Sequence, residues 1–119
     1  MERKLALIVE DNVLLSNLFS RALADINYQT LILNNGRKAQ EWLRTDRPDI
    51  LFLDLHLPYV SGKQIFDEIS ADSCFADMYT VIITADARMG EILAEKASFV
   101  LIKPVDIQQL QQLAERLKN

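Results

Sequence analysis

Four short runs of unbroken apolar residues constrain this chain more than anything else in it. They are Leu5–Val9 (LALIV), Ile50–Leu53 (ILFL), Thr80–Thr84 (TVIIT) and Phe99–Ile102 (FVLI), and a weaker, alternating run spans Tyr28–Leu33 (YQTLIL). Each is too short for a stable helix and rich in Val, Ile and Leu. Continuous rather than alternating apolar character marks strands covered on both faces, as in a parallel sheet. Between the runs lie segments with helical periodicity. Residues 13–26 place Leu15, Leu18, Phe19, Ala22, Leu23 and Ile26 on one face, and 36–45 offer Ala39, Trp42 and Leu43 behind the N-cap candidate Asn35. Residues 62–70 offer Ile65, Phe66 and Ile69. Residues 86–96 offer Met89, Ile92 and Leu93 but carry Gly90 in mid-helix, which weakens them. Residues 106–118 start on Asp106 and stripe Ile107, Leu110, Ala114 and Leu117. The order is (βα)5, which predicts βαβ units, a parallel sheet and right-handed crossovers.

Composition narrows the class further. The chain has 119 residues, half of them hydrophobic and a quarter charged, with only three Gly and three Pro, so it reads as a single domain over residues 1–119 without linkers. A net charge of −4 with scattered Lys and Arg argues against a nucleic-acid surface, which needs a basic patch. Cys74 is the only cysteine, so no internal disulfide exists, and a redox role is not expected. The start MERKLALIVED has basic residues before an apolar run, but Glu10 and Asp11 interrupt that run too early for a signal peptide. No segment approaches the roughly 20 apolar residues of a membrane span. The expected location is the cytoplasm.

The residues that end the buried runs carry the chemistry. Glu10 and Asp11 follow the first strand, Asp54 the third, Thr84 ends the fourth and Lys103 follows the fifth. In a parallel sheet these ends share one edge, where ligands of open α/β sheets bind. Like charges disfavour one another's ionisation, and a hard cation relieves them. Carboxylates with backbone carbonyls and water suit Mg²⁺ above all. Mg²⁺ needs only one or two of the acids, which leaves another as a nucleophile. Aspartate can form an acyl phosphate, and a cation with a lysine can neutralise a phosphoryl group in transfer.

Taken together these residues resemble the receiver domain of two-component response regulators, along the whole chain. The acid pair Glu10–Asp11, the stretch DLHLPYVSG matching D-x-x-x-P-x-x-x-G at Asp54, Pro58 and Gly62, the pair Thr84–Ala85, and the pair Lys103–Pro104 occur in the family's order. The resemblance implies a CheY-like, flavodoxin-like doubly wound fold with five parallel strands in the order 2-1-3-4-5 and helices on both faces. It implies that Asp54 accepts a phosphoryl group from the phosphohistidine of a sensor kinase or phosphotransfer protein. Asp11 and Asp54 would bind Mg²⁺, or Mn²⁺ in its place, with Glu10 helping through water and the backbone carbonyl of His56 as a further ligand. Thr84 and Lys103 would each meet a phosphoryl oxygen, and the Lys103–Pro104 bond would be cis. The domain would be a switch and not an enzyme on other substrates. Its fourth helix, fifth strand and fifth helix would bind an output domain, a partner protein or a second copy.

Several residues also have plainer readings. Helix capping is the alternative for Glu10, Asp11 and Asp86, and Asp86 could instead modulate water attack. His56 is expected at the mouth of the site, its side chain off the metal. Trp42 is expected to pack half-buried. One departure from the family stands out: many receivers carry Tyr or Phe three residues before the lysine, where this chain has Val100. Phe99 is adjacent but points to the opposite face of a strand. Other functions fit less well. A haloacid-dehalogenase-type phosphohydrolase needs an acid two residues after the nucleophile, and His56 stands there. A flavodoxin-like cofactor binder needs a phosphate loop where EDNVLL is acidic. A pseudo-receiver would not need the intact acid pocket, although Val100 is compatible with one.

Overall fold

The structure is a computed structural model that describes residues 3–118. Met1, Glu2 and Asn119, the ends of the single domain expected from the sequence, lie outside the described residues. Five strands, β1 (Leu5–Val9), β2 (Gln29–Leu33), β3 (Ile50–Asp54), β4 (Tyr79–Thr84) and β5 (Phe99–Ile102), alternate with five helices, α1 (Val13–Ala24), α2 (Gly36–Leu43), α3 (Gly62–Ser70), α4 (Ala87–Leu93) and α5 (Ile107–Arg116). The strands form one sheet in the order β2-β1-β3-β4-β5 with all pairings parallel. This is the predicted doubly wound fold. A short 3-10 turn at Ser73–Phe75, which periodicity did not reveal, joins α3 to β4.

Burial explains why the central runs are apolar without interruption. Successive residues of a strand face opposite sides of the sheet. Ala6, Ile8, Phe52, Val81, Ile83 and Leu101 pack with α1 and α5. Leu7, Val9, Leu51, Leu53 and Ile82 pack with α2, α3 and α4. Both faces are covered, so every position must be apolar. Each fully buried aliphatic side chain contributes about 1.5–3 kcal/mol relative to exposure. β2 sits at a sheet edge and is only partly covered, which accounts for its weaker pattern. Tyr28, just before it, is buried and its hydroxyl donates to the Ala114 carbonyl at 2.7 Å, tying this edge to α5. Burial pushes that phenol up to about 12.

Helix starts follow capping chemistry. Asn12, Asn35, Ser61, Asp86 and Asp106 cap α1 to α5, their side chains accepting backbone N–H groups of the first turn. The cap of α1 is Asn12 and not Asp11, so the capping alternative for Asp11 falls away. Two expected core residues are exposed instead. Leu18 is 44% and Ile92 61% accessible. Leu18 lies outside the stripe of Ser16, Phe19, Ala22 and Leu23 that α1 buries. α4 is short, and buries only Gly90 and Leu93. Trp42 is half-buried against the core, as expected.

Candidate functional site: an acidic sheet edge with a lysine

Parallel topology brings the predicted residues to one edge. Pairing of β1 with β3 and of β3 with β4 places Glu10, just beyond Val9, beside Asp54, whose strand partner is Ile83. Glu10 (1% exposed), Asp54 (2%) and Thr84 (0%) are buried, whereas Asp11 and His56 are exposed. The sequence placed the end of the covered strand at Leu53. Asp54 is in fact still inside it, so its carboxylate must find partners among neighbours.

Those partners are specific. The His56 N–H donates to Asp54 Oδ1 at 3.0 Å, and Lys103 Nζ donates to Asp54 Oδ2 at 3.2 Å. Lys103 also stands 3.1 Å from Glu10 Oε1, forming one ammonium bridge between two buried carboxylates. Its own N–H donates to the Thr84 carbonyl at 2.8 Å, which fixes the lysine beside β4, and the Lys103–Pro104 bond is cis. The Asn12 N–H donates to Glu10 Oε2 at 3.1 Å. Thr84 Oγ1 accepts the Asp86 N–H at 3.0 Å, and Asp86 in turn caps α4.

The electrostatics follow from this crowding. Burial, with the neighbouring Asp54 carboxylate adding to it, pushes the Glu10 carboxyl up to about 7 against the pull of the Asn12 N–H and Lys103. Burial alone would lower the Lys103 ammonium, but Glu10 and Asp54 outweigh it and hold it above its ordinary value.

The donor set fits a cation. One carboxylate oxygen from each of Glu10, Asp11 and Asp54 lies within 4.8 Å of the others. Glu10 Oε1 is buried without a hydrogen-bond partner among the described residues, the Lys103 contact being an ion pair without hydrogen-bond geometry. An oxygen so placed is satisfied by a hard cation, directly or through water.

The loop between β3 and α3 explains the spacing of the acidic motif. A Cβ on Gly62 would lie 2.0 Å from the Asp54 carbonyl oxygen, so only glycine allows α3 to start so close to β3. The Gly62 N–H donates to the Leu55 carbonyl at 3.0 Å and closes the loop. Three residues were not singled out for the site from the sequence. Asn34, Gly36 and Tyr59 also touch these loops, through contacts far apart in the chain. Local periodicity gave only the cap at Asn35. A hollow of about 670 Å³ opens elsewhere, between α3, the 3-10 turn and the starts of β4 and β5.

A buried acid pair with a third acid and a lysine at one edge of a doubly wound sheet is the arrangement expected of a receiver domain. Residues 6–115 match the response regulator receiver domain family, and the chain belongs to that family. Over 88 residues it is 33% identical to the polar-differentiation response regulator DivK of Brucella anthropi, covering 74% of this chain and 72% of DivK. A CheY-like receiver domain from Methylobacillus flagellatus superposes with a TM-score of 0.84 at 26% identity, covering 98% of this chain and 99% of that one. The receiver domain of a sensor histidine kinase from Pseudomonas aeruginosa superposes with a TM-score of 0.85 at 24% identity, each chain covered to 98%. That protein holds a magnesium ion in its active-site cleft.

Proposed function

We propose that this receiver domain is a working phosphoacceptor switch, with Asp54 as the acceptor. The observation that carries this reading is the Lys103 ammonium bridging Asp54 and Glu10 beside a third acid. An Asp54 carboxylate oxygen attacks the phosphorus of a phosphohistidine. The O–P bond forms, the N–P bond breaks, and the imidazole leaves with the electron pair. Lys103 Nζ, already at the carboxylate, shifts onto a phosphoryl oxygen. The Thr84 hydroxyl, whose oxygen accepts the Asp86 N–H, donates its proton to another. Asp11 and Asp54, with Glu10 through water and the His56 carbonyl, would hold Mg²⁺ or Mn²⁺. The bound cation supplies charge neutralisation for the phosphoryl oxygens.

The buried site favours the switch over a pseudo-receiver, because an acid cluster this costly to bury has no packing benefit. Hydrolysis of the acyl phosphate would reset the domain, so catalysis is confined to its own modification. Exposed apolar residues supply docking faces. Val13 (63%) and Leu14 (72%) follow Asp11 at the start of α1, where a donor kinase or phosphotransfer protein would approach. Ile92, Phe99 and Ile102 are exposed on α4 and β5, the side expected to bind an output partner or a second copy. Incubation with Mg²⁺ and acetyl phosphate should give a hydroxylamine-labile phosphoryl adduct. A hydroxylamine-stable adduct would place the modification on a hydroxyl and overturn the assignment.

A further inference from the structure

We propose that Asn34, Gly36 and Arg37, at the start of α2, are positioning residues that hold the two loops of the acidic site in register. None of them touches the acids' side chains, and the inference rests on the receiver reading of that site. Asn34 Nδ2 donates to the main-chain carbonyl of Glu10 at 3.1 Å and so holds the β1–α1 loop. Two residues later the chain reaches the other loop. The Gly36 N–H donates to the Pro58 carbonyl at 3.3 Å, and a Cβ on Gly36 would lie 1.8 Å from the Val60 carbonyl oxygen. The Arg37 guanidinium lies over the Tyr59 ring, 5.2 Å from its centroid. Four consecutive residues thus span the carbonyl behind one acid and the turn that follows the acceptor.

That turn needs holding. Tyr59 has φ 71°, and the Val60 N–H donates to the Pro58 carbonyl at 2.9 Å. This is the rare, strained form of the three-residue turn. A non-glycine residue persists there only where its surroundings over-determine it. Nothing buries Tyr59, which is 75% exposed. Its restraints are Arg37 over the ring and the Gly36 bond to Pro58. Since His56, with its N–H on Asp54 Oδ1, begins the same loop, relaxation of the turn moves a group bound to the acceptor.

The test uses the full chain and reads Mg²⁺ affinity by calorimetry, melting in EDTA, and the half-life of the acetyl-phosphate adduct. Loss of an outer partner of a ligand typically weakens metal binding 10- to 100-fold, and Asn34→Ala should weaken Mg²⁺ by about tenfold, at the lower end. It should melt in EDTA like the parent, because Asn34 is exposed. Arg37→Ala should shorten the adduct's half-life by about two- to fivefold, the scale of an exposed cation–π contact. Arg37→Lys, which keeps a cation over Tyr59, should restore it. Parental Mg²⁺ affinity in Asn34→Ala, or identical half-lives in both Arg37 variants, would overturn the proposal. If the parent chain takes no phosphoryl group, the phosphoacceptor reading fails, and the Mg²⁺ measurement still decides whether Asn34 positions the acidic site.

Discussion

Gly62 lies against the main chain of Asp54, with the position of a would-be Cβ only 2.0 Å from the Asp54 carbonyl oxygen. The glycine eight residues after Asp54 therefore serves steric fit and not turn flexibility, since no glycine here has a positive φ. Because the opposing atom is backbone, it cannot rotate away. Gly62→Ala should destabilise the domain by about 1–3 kcal/mol, the scale of overpacking, as read by urea denaturation. Unchanged stability would mean that α3 can shift without affecting β3.

Lys103 offsets two buried carboxylates at once. Lys103→Ala leaves Glu10 and Asp54 facing each other without a cation. The lysine side chain is 25% exposed, so solvent screens part of the loss. Destabilisation in EDTA at neutral pH should be about 1–3 kcal/mol, below the full penalty for breaking a buried pair. Mg²⁺ should recover part of it. If Lys103→Ala melts with the parent in EDTA, the ion pairs contribute nothing to the metal-free fold.

Glu10 predicts a pH dependence. Its carboxyl is raised from 4.5 to about 7, so the metal-free fold binds this proton more tightly than the unfolded chain does. Its contribution is complete below about 4.5 and is lost as pH rises through about 7. Thermal melts in EDTA should fall across that window, and Glu10→Gln should flatten the slope. Mg²⁺ requires the ionised acid, so its affinity should rise with pH over the same range. A flat melting profile in EDTA would contradict this placement of Glu10.

Gly90 is where α4 meets β5. A Cβ there would lie 3.0 Å from Val100 Cγ1 and from Ile102 Cδ1, and 3.5 Å from Thr84 Cγ2. Helix propensity alone favours alanine by about 1 kcal/mol. Val100 is β-branched and stiff at χ1, so it resists the added methyl. Gly90→Ala should therefore destabilise the parent yet stabilise a Val100→Ala background. A double-mutant cycle measures that coupling, and additivity would show that the contact is soft. The valine that replaces the usual aromatic thus packs against the helix expected to carry the signal.

The sheet was legible because both faces of its central strands are covered, so β1, β3 and β4 appear as unbroken apolar runs, while the edge strand β5 keeps an apolar run although Phe99 and Ile102 are exposed. The helices were legible from caps such as Asn35 and Asp106. Sidedness was less so: Leu18 and Ile92 have core-type side chains at helical spacing, but among the described residues both are exposed. The acids and Lys103 were legible once parallel topology put the strand ends together. The polar support of the site was not. Asn34 reaches Glu10 across 24 residues, and Tyr59 adopts a backbone conformation that no residue preference of tyrosine foretells.

The central claim is that Asp54 accepts the phosphoryl group. Intact mass after incubation with Mg²⁺ and acetyl phosphate tests it most directly. One added phosphoryl group is predicted in the parent chain, none in Asp54→Asn and none with EDTA. An adduct that survives Asp54→Asn, or no adduct in the parent with any phosphodonor, would contradict it.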